Sequence, residues 1–228
     1  MIHRGILLDI EGTTTPITFV YDVLFPFARR HAAQFLQNAD VRDLRREHDE
    51  DVIRGNNPPP WTKSAEAYFY WLMDQDRKST ALKRIQGEIW LQGYRNGELH
   101  GEVFTDVPPA LRRWREAGID VRIFSSGSIL AQKLLFESTR DGNLTKFLSG
   151  YFDTTTGPKN EPQSYREIAK AFGVAPVNVL FVSDVTRELD AARTAGMKTA
   201  LCVRPGNAPQ PPHEHQVITT FFEIETAG

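Results

Sequence analysis

Apolar residues along this chain gather in short unbroken runs, and longer stretches between the runs carry helical spacing. Gly5-Ile6-Leu7-Leu8-Asp9-Ile10 is such a run, closed by Gly12 and Pro16, and it predicts a buried strand. Runs at 119–124, 177–182 and 199–203 have the same form, and Tyr151-Phe152-Asp153 is a weaker one. Helices fall between them. The spans 108–117 and 162–172 each have proline in the first turn and glycine just past the end, at Gly118 and Gly173. In the second, Tyr165, Ile168, Ala169 and Phe172 form one buried stripe. A third helix is expected over about 187–195, stopped by Gly196. Strand and helix alternation of this kind predicts a parallel sheet covered on both faces, with its main body over residues 105–205.

The interval from the first strand to the next near residue 119 is too long for one crossover helix, so something is inserted. Three stripes make the insert helical: Val20, Val23, Leu24 and Phe27; Ala65, Tyr68, Phe69, Leu72 and Met73; Leu82, Ile85, Ile89 and Trp90. Pro26 either kinks the first of these helices or opens a new one. Asn56-Asn57-Pro58-Pro59-Pro60 reads as a break between helices. The proline-rich stretch after Arg204 predicts an irregular wrap before a short strand or helix at 217–222.

Composition narrows the class. With 228 residues, 40% hydrophobic and 25% charged, the chain can bury one full core and a smaller second one. The balance of 27 basic and 29 acidic residues leaves no footprint for nucleic acid or an anionic membrane, so small-molecule partners are expected. Cys202 is the only cysteine, which excludes an intrachain disulfide framework and a CxxC metal site and fits a reducing compartment. The opening residues show no leader pattern, and no apolar run approaches a membrane span. A cytoplasmic monomer is the expectation.

In a doubly wound sheet, ligands bind beyond the carboxyl ends of the strands. The residues there are Asp9, Glu11, Ser125, Ser126, Asp184 and, after a loop, Lys159. Singly, each has a plain structural role: Asp9 as a loop cap, Ser125 and Ser126 as helix N-caps before Ile129, Asp184 as the N-cap of the next helix, Lys159 as a solvated cation. Together they bring carboxylates, hydroxyls and one cation to a single sheet edge, an inventory suited to phosphoryl transfer with magnesium. Composition and spacing leave both readings open.

The order of motifs resembles the haloacid dehalogenase superfamily. Leu7-Leu8-Asp9-Ile10-Glu11-Gly12-Thr13 is similar to its first motif, Phe124-Ser125-Ser126-Gly127 to its second, Lys159 to its third, and Val182-Ser183-Asp184-Val185-Thr186-Arg187-Glu188 to its fourth. Most phosphatases of that superfamily carry aspartate two residues after the nucleophile; this chain has Glu11. The enolase-phosphatase E1 family shares that change, and Asp9-Ile10-Glu11-Gly12-Thr13-Thr14-Thr15-Pro16-Ile17 resembles its opening signature. Trp114–Gly118, Ser125–Ser128 with Ala131–Phe136, Ser183–Glu188 and Arg204–Asn207 are similar to it as well.

The resemblance implies an α/β fold: a Rossmann-like parallel-sheet core of residues 1–16 and 105–228, with an all-helical C1-type cap, 17–104, inserted after the first strand. It implies one Mg2+ per subunit, held by Asp9, the Glu11 main chain and Asp184. Asp9 would be the nucleophile, Glu11 the general acid and base, Ser125 and Ser126 the phosphate binders, and Lys159 a charge-neutralising group that also binds substrate. Glu188 either orients Lys159 or is only a first-turn carboxylate. The implied reaction, in methionine salvage, enolises 2,3-diketo-5-methylthiopentyl-1-phosphate and removes its phosphate to give an acireductone. Glu11, Glu88 and Glu98 are candidates for the enolisation base.

Three other classes are weighed: a magnesium phosphatase of another small phosphorylated metabolite, a receiver-like signalling module, and a dehalogenase. The helical insert argues against the second, and Glu11 with Asp184 against the third. His213-Glu214-His215 is expected to be a chance surface pair, Glu47–Asp51 a solvated helix face, and the aromatics Tyr68, Phe69, Tyr70 and Trp71 mainly core.

Overall fold

The computed structural model describes residues 3–61 and 65–225. Met1 and Ile2, where the absence of a leader pattern was read, and residues 226–228 of the expected core lie outside the described residues, as do 62–64. The chain divides into two compact units, Met1–Val20 with His100–Gly228, and Tyr21–Leu99.

The first unit opens with strand β1, Gly5–Leu8, every residue of which is buried. The chain then makes a π-helical turn, Phe19–Leu24, and enters α1, Phe25–Leu36, with Pro26 in its first turn. Pro26 therefore opens a new helix, as its missing N–H costs nothing there. The wider π turn also breaks the expected stripe: Leu24 and Phe27 are buried, while Val23 is exposed. Trp90 Nε1 donates to Leu24 O at 2.8 Å, satisfying a carbonyl at this junction.

The second unit continues with α2, Arg42–Ile53, α3, Glu66–Asp74, and α4, Thr80–Arg95. Ser79 caps α4 by accepting from Leu82 N at 2.9 Å. Tyr68 and Phe69 are core, as expected. The Glu47–Asp51 segment departs from its expected solvated character, since His48 and Asp51 are buried. Asp51 accepts from Tyr68 Oη at 2.8 Å, Asn56 Nδ2 at 2.7 Å and Arg77 Nη2 at 2.6 Å, and His48 Nε2 lies 3.0 Å from Pro59 O. These partners lie outside the run, Tyr68 and Arg77 on later segments, so the run itself does not disclose them.

Back in the first unit follow α5, Val107–Glu116, β2, Asp120–Phe124, α6, Ile129–Glu137, β3, Gly150–Phe152, α7, Pro162–Phe172, β4, Val179–Ser183, α8, Thr186–Thr194, β5, Lys198–Cys202, and β6, Gln216–Ile218. The expected segment at 217–222 is thus a strand followed by a 3-10 turn, Phe221–Glu223. Gly173, at φ 66°, closes α7 in the left-handed conformation that a side chain resists. Helix α6 begins at Ile129, where the cap reading of the serines placed a helix start, but its N-cap is Ser128, not Ser125 or Ser126.

The strands form one sheet in the order β3-β2-β1-β4-β5-β6, and all five pairings are parallel. Parallel strands covered on both faces need near-continuous apolar sequence, which is why β1 and β4 were legible. On one side of the sheet Tyr165, Ile168 and Phe172 of α7 and Leu189 and Ala192 of α8 pack with Leu7, Phe124, Phe181 and Leu201. Leu8 pairs with Ile123 and with Val182, so the residues after β1, β2 and β4 emerge side by side. The chain runs in opposite directions across the sheet from β1 and β4, and the crevice beyond such a switch point is where ligands bind.

Candidate active site

Asp9 follows β1 directly and is 2% exposed. Its N–H donates to Val182 O at 3.0 Å, continuing the ladder one step past the strand. The chain then coils tightly: Ile10 O accepts from the N–H groups of Thr13 at 3.1 Å and of Thr14 and Thr15 at 3.0 Å, and Gly12 N donates to Thr15 O at 2.8 Å. The turn places Gly12 at φ 73°, where glycine is favoured. Its bare face is also crowded by the Asp184 carboxylate and by Asn207 Oδ1, which would lie 2.9 Å from a Cβ there. Thr13, Thr14 and Thr15 are fully buried, and Thr14 Oγ1 donates to Asp9 O at 3.2 Å. The threonine run is therefore the packed underside of the loop that presents Asp9 and Glu11.

Lys159, on the loop between β3 and α7, places Nζ 2.5 Å from Asp9 Oδ1 and 2.7 Å from Glu188 Oε2. Burial works against its charge, but Asp9 and Glu188 more than offset that and hold the ammonium above the usual lysine range. Tyr165 Oη donates to Lys159 O at 2.7 Å, fixing the main chain beneath the side chain. Glu188 also accepts from Ser183 Oγ at 3.0 Å. Of its two sequence readings, the geometry favours the one in which it orients Lys159.

Ser125, just past β2, is buried, and its hydroxyl donates to Glu11 Oε2 at 3.3 Å while accepting from Gly127 N at 3.1 Å. Ser126 is exposed beside it. Burial, then the Asp9 charge, raises the Glu11 carboxyl above its ordinary value. Asp184 follows β4 and is buried, and α8 begins after Val185, so Asp184 is not its N-cap. Burial and the charges of Asp9 and Glu188 push Asp184 up to about 7. Burial and Asp9 likewise push Glu188 up to about 7.

Four carboxyl groups, Asp9, Glu11, Asp184 and Glu188, therefore gather around the cation of Lys159. That excess of negative charge suits a hard dication with oxygen ligands. Among the described residues no three His, Cys, Asp or Glu side chains enclose a metal by themselves. The donor set that fits is a pair of carboxylates completed by main-chain, substrate or water oxygens, an arrangement Mg2+ accepts.

A family model described as haloacid dehalogenase-like hydrolase matches residues 3–196. Enolase-phosphatase E1 of Synechococcus elongatus is 49% identical over 231 residues, covering 96% of this chain and 96% of its own. The chain belongs to the enolase-phosphatase E1 family of haloacid dehalogenase-like hydrolases. The family member from Xenopus tropicalis is 44% identical over 96% of this chain and 93% of its own. The UTR4 protein of Saccharomyces cerevisiae matches the fold of this enolase-phosphatase relative with a TM-score of 0.81 at 36% identity, over 97% of this chain and 100% of that one. The α/β haloacid dehalogenase-like fold expected from the motifs is thus found, and the chain is a hydrolase of that superfamily.

The structure brings Asp9, Glu11, Ser125, Lys159 and Asp184 to one edge of the sheet. Glu88 and Glu98 belong to the other unit, where Glu88 pairs with Arg84 at 2.8 Å and Glu98 accepts from Asn96 at 3.3 Å. His215 was expected at the surface. It is buried instead, 2.8 Å from Thr199 Oγ1 through Nδ1 and 3.2 Å from Asp190 Oδ1 through Nε2, a structural bridge between β5 and α8. Sequence reasoning gave no role to Gln132, Asn207, Asp106 or Arg204. Asn207 donates to Gly12 O at 2.9 Å and Arg204 Nε to Thr13 O at 3.2 Å, so both grip the loop that carries Asp9 and Glu11. The signal available was the likeness of Arg204–Asn207 to the enolase-phosphatase signature, with no chemistry attached.

Proposed function

We propose that this chain enolises 2,3-diketo-5-methylthiopentyl-1-phosphate and then hydrolyses its phosphate to give the acireductone 1,2-dihydroxy-3-keto-5-methylthiopentene. The observation that carries the reading is the Asp9–Lys159–Glu188 chain at the sheet edge, with Glu11 beside it, in a member of the enolase-phosphatase family. Lys159 occupies Asp9 Oδ1, so Oδ2 attacks phosphorus. The bond from phosphorus to the substrate oxygen breaks as Glu11 delivers its proton to that oxygen, leaving an aspartyl-phosphate. Glu11, now ionised, takes a proton from water as the water attacks phosphorus, which frees Asp9 and restores the acid. Ser125 and Ser126 bind the phosphoryl oxygens, and Lys159 offsets the charge that Asp9 and the phosphate bring together.

Asp9 and Asp184 through their side chains and Glu11 through its carbonyl would hold one Mg2+. When bound, it neutralises charge on the transferring phosphoryl group. The inserted helices, 17–104, serve as the cap of the catalytic core formed by 1–16 and 105–228. The protein acts as a monomer in the cytoplasm, in keeping with one buried, unpaired cysteine, Cys202. Among the described residues no helix is long and apolar enough to cross a membrane.

The test is anaerobic incubation with the diketo phosphate and Mg2+, following ultraviolet absorbance of the enol products alongside released phosphate. Acireductone and phosphate formed together are the expected result. Phosphate without an enol product would instead identify a simple phosphatase, and turnover of neither would remove the catalytic reading.

A further inference from the structure

Two carboxamides stand behind the site without touching its reacting groups. Gln132 of α6 is 1% exposed, and its Nε2 donates to Gly127 O and to Phe152 O, each at 2.8 Å. Asn207, half-buried in the turn after β5, donates through Nδ2 to Gly12 O at 2.9 Å and to Cys202 O at 3.2 Å. In each case both amide hydrogens go to main-chain carbonyls. One carbonyl lies in a loop bearing functional residues, and the other ends a strand, β3 for Phe152 and β5 for Cys202.

Each side chain leaves its own oxygen, Gln132 Oε1 or Asn207 Oδ1, buried without a hydrogen-bond partner. Burying an unsatisfied acceptor is unfavourable, so an apolar side chain would serve better if filling space were the whole task. Only an NH2 group supplies two donors from one atom in this geometry; a carboxylate of the same shape supplies none. Turning either amide over would set its oxygen against two carbonyl oxygens, so the orientations are fixed by chemistry.

The two clamps act on different loops. Gln132 ties Gly127 to the end of β3, where Phe152 O also accepts from Ser125 N at 3.2 Å, so it sets the Ser125–Gly127 turn. Asn207 ties Gly12 to the end of β5 and holds the bare face of Gly12 against the Asp184 carboxylate. We infer that Gln132 and Asn207 are positioning residues that divide the site between them, Gln132 fixing the geometry that binds phosphate and Asn207 the geometry that binds the divalent cation. This rests on the reading of Ser125 and Ser126 as the phosphate side and Asp184 as the metal side.

The experiment compares Gln132→Glu, Gln132→Met, Asn207→Asp and Asn207→Leu with wild type, after circular dichroism has established folding. Two ligands are read separately: inorganic phosphate, as a competitive inhibition constant at saturating Mg2+, and Mg2+ alone, by calorimetric titration without substrate. The Gln132 variants weaken phosphate by roughly tenfold or more, as loss of one or two hydrogen bonds implies, with Mg2+ affinity held within about twofold. The Asn207 variants weaken Mg2+ by roughly tenfold, and phosphate measured at saturating Mg2+ stays within about twofold. Equal weakening of both ligands by every variant, or of neither, overturns the inference. So does failure of both variants at either position to fold, because the amide is then a folding element. If wild type itself binds neither ligand, the assignment of the site falls, which is a separate outcome.

Discussion

Replacing Asp106 with alanine should destabilise the catalytic unit more than any comparable exposed change. Asp106 and Arg204 form an ion pair with side chains only 8% and 5% exposed, Nη2 to Oδ2 at 2.9 Å. The same Oδ2 accepts from Thr220 Oγ1 at 2.9 Å and from Phe221 N at 2.7 Å. Arg204 lies 4.6 Å from the ring of Phe104 and 4.8 Å from that of Phe221, and donates through Nη1 to Thr219 O at 2.9 Å. Truncating Asp106 strands a buried guanidinium and a main-chain N–H at once. Breaking a buried pair from one side costs about 3–5 kcal/mol. For a chain of this length each kcal/mol lowers Tm by about 2–4 °C, so the expected loss is roughly 6–20 °C. Scanning calorimetry measures it, with the double variant Asp106→Leu, Arg204→Met as the control. Because an apolar pair of similar volume can replace a buried ion pair at little cost, the double variant should recover most of the loss. A loss under about 3 °C for Asp106→Ala, or a double variant worse than the single one, would refute the reasoning.

Glu11→Gln cannot give or take a proton, so phosphate release should fall by about 10²–10⁴ while inorganic phosphate still binds; stopped-flow phosphate detection checks this, and a fall below about tenfold contradicts the role. Lys159→Met leaves the buried carboxylate of Asp9 and the half-buried one of Glu188 without the cation between them, so turnover should drop by about 10² or more, read in the same assay; near wild-type turnover would exclude Lys159 from the chemistry. In the helical unit, burial pushes the Asp51 carboxyl up, but hydrogen bonds from Asn56 and Tyr68 and the Arg77 charge hold it below its ordinary value. Its stabilising effect is therefore present above the unfolded value, about 3.9, and is lost as pH falls through the lower folded value. Urea titrations of Asp51→Asn should show the largest deficit near neutral pH and a shrinking one below about pH 4; a deficit that grows with acid would reverse the sign.

Much of the site was legible because its carboxylates follow apolar strands directly. Asp9 after Leu8 and Asp184 after Ser183 are fixed by the sheet register, and Ser125 follows Phe124 in the same way. Lys159 was legible as a cation near the same sheet edge, but its pairing with Asp9 was not, since a loop separates it from β3 and nothing local aims it there. The polar core was hidden for a different reason. Burial of Asp51 depends on Arg77, and burial of His215 on Thr199 and Asp190, partners that periodicity does not reveal. Gln132 and Asn207 follow the same rule, meeting carbonyls 20 and 195 residues away in sequence. The π turn at Phe19–Leu24 defeated the helical stripe because its residues advance by a wider step than the α-helical period.

The central claim is that Asp9 carries the phosphoryl group, and reductive trapping tests it most directly. The enzyme is mixed with the diketo phosphate and Mg2+, quenched during turnover with borohydride, and digested for mass spectrometry. An acyl phosphate at Asp9 is reduced to the alcohol, so the peptide containing Asp9 should carry homoserine at that position. Omitting substrate should leave Asp9 unchanged. Turnover with no reduction at Asp9, or reduction at Glu11 or Asp184 in its place, would contradict the account.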